Sequence, residues 1–268
     1  MKKSRLIIEK DGRKISDVNE WFEYGEPKGG SSQWKVGRSA YEFARYMTSD
    51  GGAVPSAIMQ YLNTIGIQAC NFECEPERIT PFSKKEIRKI CSGWDLGSGE
   101  GRHHDGLMWS GDKRCVVGIE AKVSEPFDRP IKDKLKAAER NHDQGENTRK
   151  RILESMRVIK GERVQKPEWL EEDLMYQLLS ATIGTVIEAK KFHADKAVFL
   201  VIEFTGNVCK EKDYDNNVDK NRNDYNNYMT FLGLEQKDDK ERFIDIEGIT
   251  VWFKKLSINI GKAEYSIE

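Results

Sequence analysis

The sequence predicts an α/β protein organised as one domain, and three observations carry that prediction. Residues Ala197–Phe204 read as a strand whose continuous apolar run Ala197-Val198-Phe199-Leu200-Val201-Ile202 is that of a strand buried on both faces. Two strand-like segments, 104–109 and 114–123, are joined by Ser110-Gly111-Asp112-Lys113, which contains a hairpin-turn signal. Segments of helical periodicity precede and follow them. The coarse order is helix, strand, strand, strand, helix, strand, with additions at both ends.

Composition bounds the answer. The 268 residues are 38% hydrophobic, enough to fill a core and to exclude wholesale disorder. No window approaches the roughly 18 consecutive apolar residues of a membrane span. The segment Met1–Lys10 is basic but lacks the apolar stretch of a signal peptide. Cys70, Cys74, Cys91, Cys115 and Cys209 are odd in number and contain no CxxC pair, which argues against a disulfide framework or a structural zinc site. The expectation is a soluble cytoplasmic protein with no membrane partner.

Along the chain, Asp11-Gly12 and Gly29-Gly30 are turn signals, and residues 1–33 read as an extension before the domain. Ser39 is the expected N-cap of a helix over Ala40–Met47, ended by Asp50-Gly51-Gly52; Pro55-Ser56 opens a second helix to about Thr64. A strand is expected over 67–74. A helix over Lys84–Cys91 has Ser83 as cap and Glu86 at the third helical position. A Gly-rich loop spans 92–101. Trp169–Lys191 has helical periodicity, Asn217–Asn227 reads as an exposed polar loop, and Tyr225–Leu232 and Ile249–Ile258 as a short helix and a last strand. Cys70 and Cys74 read as ordinary half-buried residues.

Charge is balanced overall, Lys+Arg 44 against Asp+Glu 45, but unevenly spread. Residues 129–166 hold 12 basic against 6 acidic side chains, and residues 203–247 hold 7 against 12. A basic segment in a neutral chain suits a nucleic-acid surface; a solvated helical face is the plainer reading.

The chemistry-bearing residues lie around the hairpin. On a strand over 114–123, Cys115, Val117, Ile119, Ala121 and Val123 share one face and Glu120 and Lys122 the other. Asp105 sits near the start of the partner strand. Two adjacent carboxylates repel unless a cation joins them, and Mg²⁺ favours one or two carboxylates plus water and phosphate oxygens. A Glu-x-Lys triplet alone carries little information, since chance supplies about three in this composition and the chain has four. Only Glu120/Lys122 lies in an alternating apolar strand preceded by an Asp; an ion pair on a strand face is the alternative.

Asp105, Glu120-Ala121-Lys122 and Gln177 on the following helix resemble the PD-(D/E)xK nuclease superfamily. The segments Gly37–Glu42, Gly118–Phe127 and Tyr176–Leu179 are similar to a bacterial family of that superfamily whose activity is not assigned. The resemblance spans most of residues 34–258 and departs in one respect, with His104 in place of the usual proline before Asp105. It implies a restriction-endonuclease-like αβββαβ core, a mixed central sheet flanked by helices; the charged segment, where the match is weaker, reads as a basic helical insertion over 129–168 particular to this protein. The resemblance implies Asp105 and Glu120 as ligands of Mg²⁺ or Mn²⁺, Lys122 as the water-orienting group, and Gln177 and Glu42 as supports.

Lys132, Lys134, Lys136, Arg149, Lys150 and Arg151 are candidate phosphate contacts, which makes binding salt-dependent. Trp34, Lys35 and Arg38 precede the first helix, where a phosphate can sit at the N-terminus, or they simply pack and solvate. His103-His104 beside Asp105 raises a His/Asp transition-metal site, but neighbours on a strand face opposite ways. Gly97-Ser98-Gly99-Glu100-Gly101 lacks the Lys and Ser/Thr of a phosphate-binding loop. The expected function is a divalent-metal-dependent nuclease acting on DNA, in restriction or phage defence, with a homodimer a natural way to cut both strands. The alternatives are a catalytically inactive binding or regulatory module of the same fold, and a hydrolase of another phosphate ester.

Overall fold

A computed structural model describes residues 3–97, 101–123, 125–140, 142–161, 173–206, 214–260 and 266–267. The architecture is mixed α/β: among the described residues, one nine-stranded sheet runs in the order β2-β1-β3-β4-β5-β6-β8-β7, with β9 on β8.

The N-terminal stretch departs from expectation. Residues 1–33 are no preface, for they contain β1 (Arg5–Lys10), β2 (Arg13–Ile15) and α1 (Val18–Tyr24). β1 runs parallel to β3 (Asn71–Thr80), and Leu6 and Ile8 enter the core. Asp11 and Gly12 turn the chain back into β2 through positive φ. Asp17 caps α1 by accepting from the Asn19 and Glu20 N–H groups. Trp21 then packs edge-on against Phe43 at 5.4 Å.

The helices α2 (Ser39–Thr48) and α3 (Ser56–Thr64) appear as expected, except that Arg38, in extended backbone, holds the cap position assigned to Ser39. The first long strand starts later than 67–74. Residues 65–67 are used in closing α3, with Gly66 at φ 75° and the Ile67 N–H bonded to Leu62 O. Cys70 is exposed and Cys74 buried, not half-buried alike. Ser83 precedes α4 (Lys84–Ile90), but its hydroxyl bonds the Glu86 carboxylate at 2.7 Å instead of a backbone N–H. The Gly-rich stretch that follows is partly core, since Trp94 and Leu96 are buried.

β4 (Arg102–Ser110) and β5 (Cys115–Lys122) form the expected antiparallel hairpin. Two helices, α5 (Ile131–Glu139) and α6 (His142–Lys160), follow in the basic stretch; its residues 162–168 lie outside the described residues. The helix expected from Trp169 is α7 (Tyr176–Phe192). It cannot begin earlier than Tyr176 because Met175 is extended and bridges Pro130. Residues 169–172 lie outside the described residues, and Leu174 precedes the helix.

β6 (Lys196–Thr205) is the buried strand, its interior eight residues all inaccessible. The expected loop at Asn217–Asn227 is instead the middle of α8 (Tyr214–Leu232), which also absorbs the short helix expected at 225–232. Burial overrides weak helix propensity there: Val218, Asn221, Asp224, Tyr225 and Tyr228 lie on its inner side. β7 (Phe243–Ile246), β8 (Ile249–Asn259) and β9 (Ser266–Ile267) complete the sheet.

Each face of the sheet carries a core. Cys115, Val117, Ile119, Ala121 and Val123 pack toward α2 and α3, while Val116 and Leu107 pack toward α7 and α8. The alternation read from the sequence therefore holds, and Glu120 and Lys122 are on the α7 side. α7 comes close because small residues meet: a β-carbon on Gly118 would overlap the Thr185 hydroxyl, and one on Gly184 would press on Arg102 and His104.

Candidate active site

Glu120 is 1% exposed in the last turn of β5's buried run, which no carboxylate tolerates without partners. It has three. Lys122 Nζ lies 2.7 Å from Oε1, Gln177 Nε2 donates to the same oxygen, and Arg102 Nη2 pairs with Oε2. Gln177 Oε1 in turn accepts from the Asp128 N–H at 3.1 Å, so its amide orientation is fixed from both ends. Burial alone pulls Lys122 down, but the Glu120 and Asp105 carboxylates outweigh it and hold the ammonium above its ordinary value. Lys122 also lies 5.6 Å over the Phe127 ring.

Asp105 stands where the β4–β5 ladder stops. The last paired residues are Gly106 and Ile119, and beyond them the Asp105 carboxylate itself accepts the Ala121 N–H at 2.6 Å. Burial first, then the Glu120 charge, push its carboxyl up to about 7. Glu77, across on β3, is a third carboxylate that the sequence did not single out. Its backbone is left-handed (φ 46°), and burial followed by Asp105 and Glu120 pushes its carboxyl up to about 9. Two raised carboxyls beside a sealed third mark an excess of negative charge.

A cavity of about 530 Å³ opens over this cluster. Glu77, Asp105, Arg102 and Gln177 line its inner part; Glu120 and Lys122 do not, being covered by Arg102 and Gln177. Of the six basic candidates, Lys134 and Arg151 face the cavity. Lys132 pairs with Asp173 and Lys150 with Glu146, while Lys136 and Arg149 are exposed on the outer surface of their helices.

Three supporting assignments fare differently. Glu42 is fully buried, not a solvated helix residue, but its bonds are to the Gly37 N–H at 2.8 Å and to Arg45, at its own helix end. At the N-terminus of α2, where Ser39 and Ala40 line the cavity, Glu125 accepts the Ser39 N–H and sits 3.9 Å from Arg38. Trp34 packs between Phe22 and Tyr41, and Lys35 is exposed. His104 is buried against Thr80, 3.2 Å from its hydroxyl, and burial holds its pKa well below the usual range; His103 lines the cavity.

Beyond Lys122 the polar row continues across the sheet. Glu203, in register with Lys122, is buried with Lys255 Nζ 2.8 Å away, and burial lowers the Lys255 pKa. Neither residue carries a sequence signal: Glu203 sits singly in an apolar strand, and Lys255 is half of the adjacent pair Lys254-Lys255 in β8.

A mixed α/β protein with a buried carboxylate–lysine cluster at the end of two adjacent strands is the class that fold and site define. The chain belongs to the family described as a domain of unknown function, DUF6946, whose model matches residues 14–260. No curated protein and no solved structure matches it.

Proposed function

We propose that this protein is a divalent-metal-dependent nuclease of the restriction-endonuclease-like PD-(D/E)xK type, hydrolysing DNA phosphodiester bonds. The observation that carries the reading is the Asp105 carboxylate, open to a cavity with cations on its rim, bonded across the hairpin to the strand that bears Glu120 and Lys122. The order α2–α3, β3, β4, β5, α7, β6 supports the αβββαβ core.

The residues fit a hard divalent cation. Among the described residues no group of three His, Cys, Asp or Glu is arranged to hold a metal, but Mg²⁺ needs only one or two carboxylates. Among the described residues, one Asp105 oxygen accepts the Ala121 N–H and the other has no hydrogen-bond donor, and burial followed by the Glu120 charge raises its pKa. Asp105 and Glu120 would hold Mg²⁺ or Mn²⁺, which when bound supplies a water of lowered pKa and stabilises charge on the phosphate. Lys122, kept protonated by its neighbours and paired with Glu120, would donate at Nζ to a water or a phosphate oxygen once it is uncovered toward the cavity. Gln177 holds Glu120 in one orientation, and Arg102 pairs with its other oxygen.

A second reading, a nuclease-fold binding module without catalysis, is favoured by one observation. Both Glu120 oxygens are already engaged by Lys122, Gln177 and Arg102. Cleavage of supercoiled plasmid and single-stranded DNA with Mg²⁺ or Mn²⁺ decides between them, beside Lys122→Ala and Asp105→Ala. Cleavage lost in both variants supports the nuclease. No cleavage, with no heat on calorimetric titration of Mn²⁺, supports the module.

A further inference from the structure

We infer that the cavity over Asp105 receives an unpaired polynucleotide strand and not an intact duplex; this rests on the nuclease reading and names its substrate class. Size is the first argument. At about 530 Å³ the cavity falls within the small-ligand class of about 300–1,000 Å³. That volume suits a nucleotide or two and not the two paired strands of a duplex segment.

The walls are the second argument. The lining draws on segments far apart in the chain: Pro27, Lys28 and Gln33 before α2, Lys134 of α5, and Thr148 and Arg151 of α6, together with Glu77 and Asp105.

The third argument is the chemistry of the rim. Lys134 Nζ lies 4.9 Å over the Tyr176 ring, and Arg151 Cζ lies 5.3 Å over the Phe82 ring. Both rings are buried and hold their cations at the cavity, where Lys134 also pairs with Asp128 at 2.9 Å and Arg151 donates to Leu96 O and the Tyr176 hydroxyl, each at 3.4 Å. A fixed ammonium and guanidinium at a narrow mouth bind backbone phosphates, and the guanidinium plane offers a surface on which an unpaired base can stack. Their helix-mates Lys136 and Arg149 are exposed away from the cavity and act only as general surface charge.

Fluorescence anisotropy of the full chain in chelator tests this, using a short fluorescein-labelled oligothymidylate and a blunt hairpin of equal phosphate count. The strand is expected to bind at least ten-fold more tightly than the hairpin. Arg151→Ala and Lys134→Ala each weaken strand binding by about five-fold or more, with Tm unchanged, whereas Lys136→Ala and Arg149→Ala have less than half that effect. Equal affinity for strand and hairpin overturns the inference, as does equal loss in all four variants or binding to neither probe. Cleavage assays with Mg²⁺ separate the two claims. A hairpin cut as fast as the strand, with both activities lost in Asp105→Ala, overturns the inference and leaves the nuclease standing. Strand-selective binding with no cleavage of either supports the cleft and removes the nuclease.

Discussion

At Glu77 the backbone passes through the left-handed region and sets a carboxylate beside Asp105 and Glu120, where its carboxyl is pushed up to about 9. The native state therefore keeps this proton to higher pH than the unfolded chain, whose Glu titrates near 4.3. Stability is lost as pH rises from about 4 to about 9, the reverse of the usual salt-bridged carboxylate. In chelator, Glu77→Gln should raise Tm by about 2–4 °C at pH 9 and leave it unchanged at pH 4; parallel melting curves across that range would falsify the assignment. Asp105, Glu120 and Lys122 are legible because strand alternation and a hairpin are local signals, and Gln177 enters through the resemblance alone. Glu77 is not legible, since Glu73, Glu75 and Glu77 alternate along one strand and only pairing with β4 distinguishes the last. Arg102 was hidden for the same reason, its role being set by the approach of α7.

At the scale of elements, the contact of α7 with β5 depends on Gly118 facing Thr185. Gly118→Ala should cost about 1–3 kcal/mol through overpacking, read as a lowered denaturant midpoint with an unchanged slope. α8 is tied to the segment after β5 by Asn221, which accepts the Phe127 N–H at 3.3 Å and donates to Glu125 O at 3.0 Å. Asn221→Ala leaves both groups buried without a partner and should cost about 1–3 kcal/mol; stability within a few tenths of wild type in urea titration would sink that account. α8 was misread as a loop because its Asn- and Asp-rich composition imitates turns, and only the burial of one side reveals a helix. The hairpin and β6 were readable because their apolar patterns need no distant partner to be recognised.

For the whole molecule, the N-terminal strand is structural and not appended. β1 covers the edge of β3 and buries Leu6 and Ile8 beside Phe72 and Cys74. Deleting residues 1–12 strips that edge of its partner and exposes an apolar row. The truncated protein should aggregate or unfold without a cooperative transition, checked by size-exclusion chromatography and thermal melting; a monomer with wild-type Tm would return this segment to the status of an extension. No helix among the described residues is long and apolar enough to cross a membrane.

By itself the sequence determined the alternation of helices and strands, the β4–β5 hairpin, the buried strand β6, and the convergence of Asp105 with Glu120 and Lys122. All of these follow from periodicity and turn chemistry within a few tens of residues. Tertiary structure alone decided that Arg102 and Gln177 cover Glu120, that Glu77 joins the site, that Lys134 and Arg151 face the cavity while four neighbouring cations do not, and that residues 1–33 enter the sheet. Each of those outcomes depends on desolvation and charge pairing between segments far apart in the chain, and such energies exist only once the sheet has closed and the helices have docked on it.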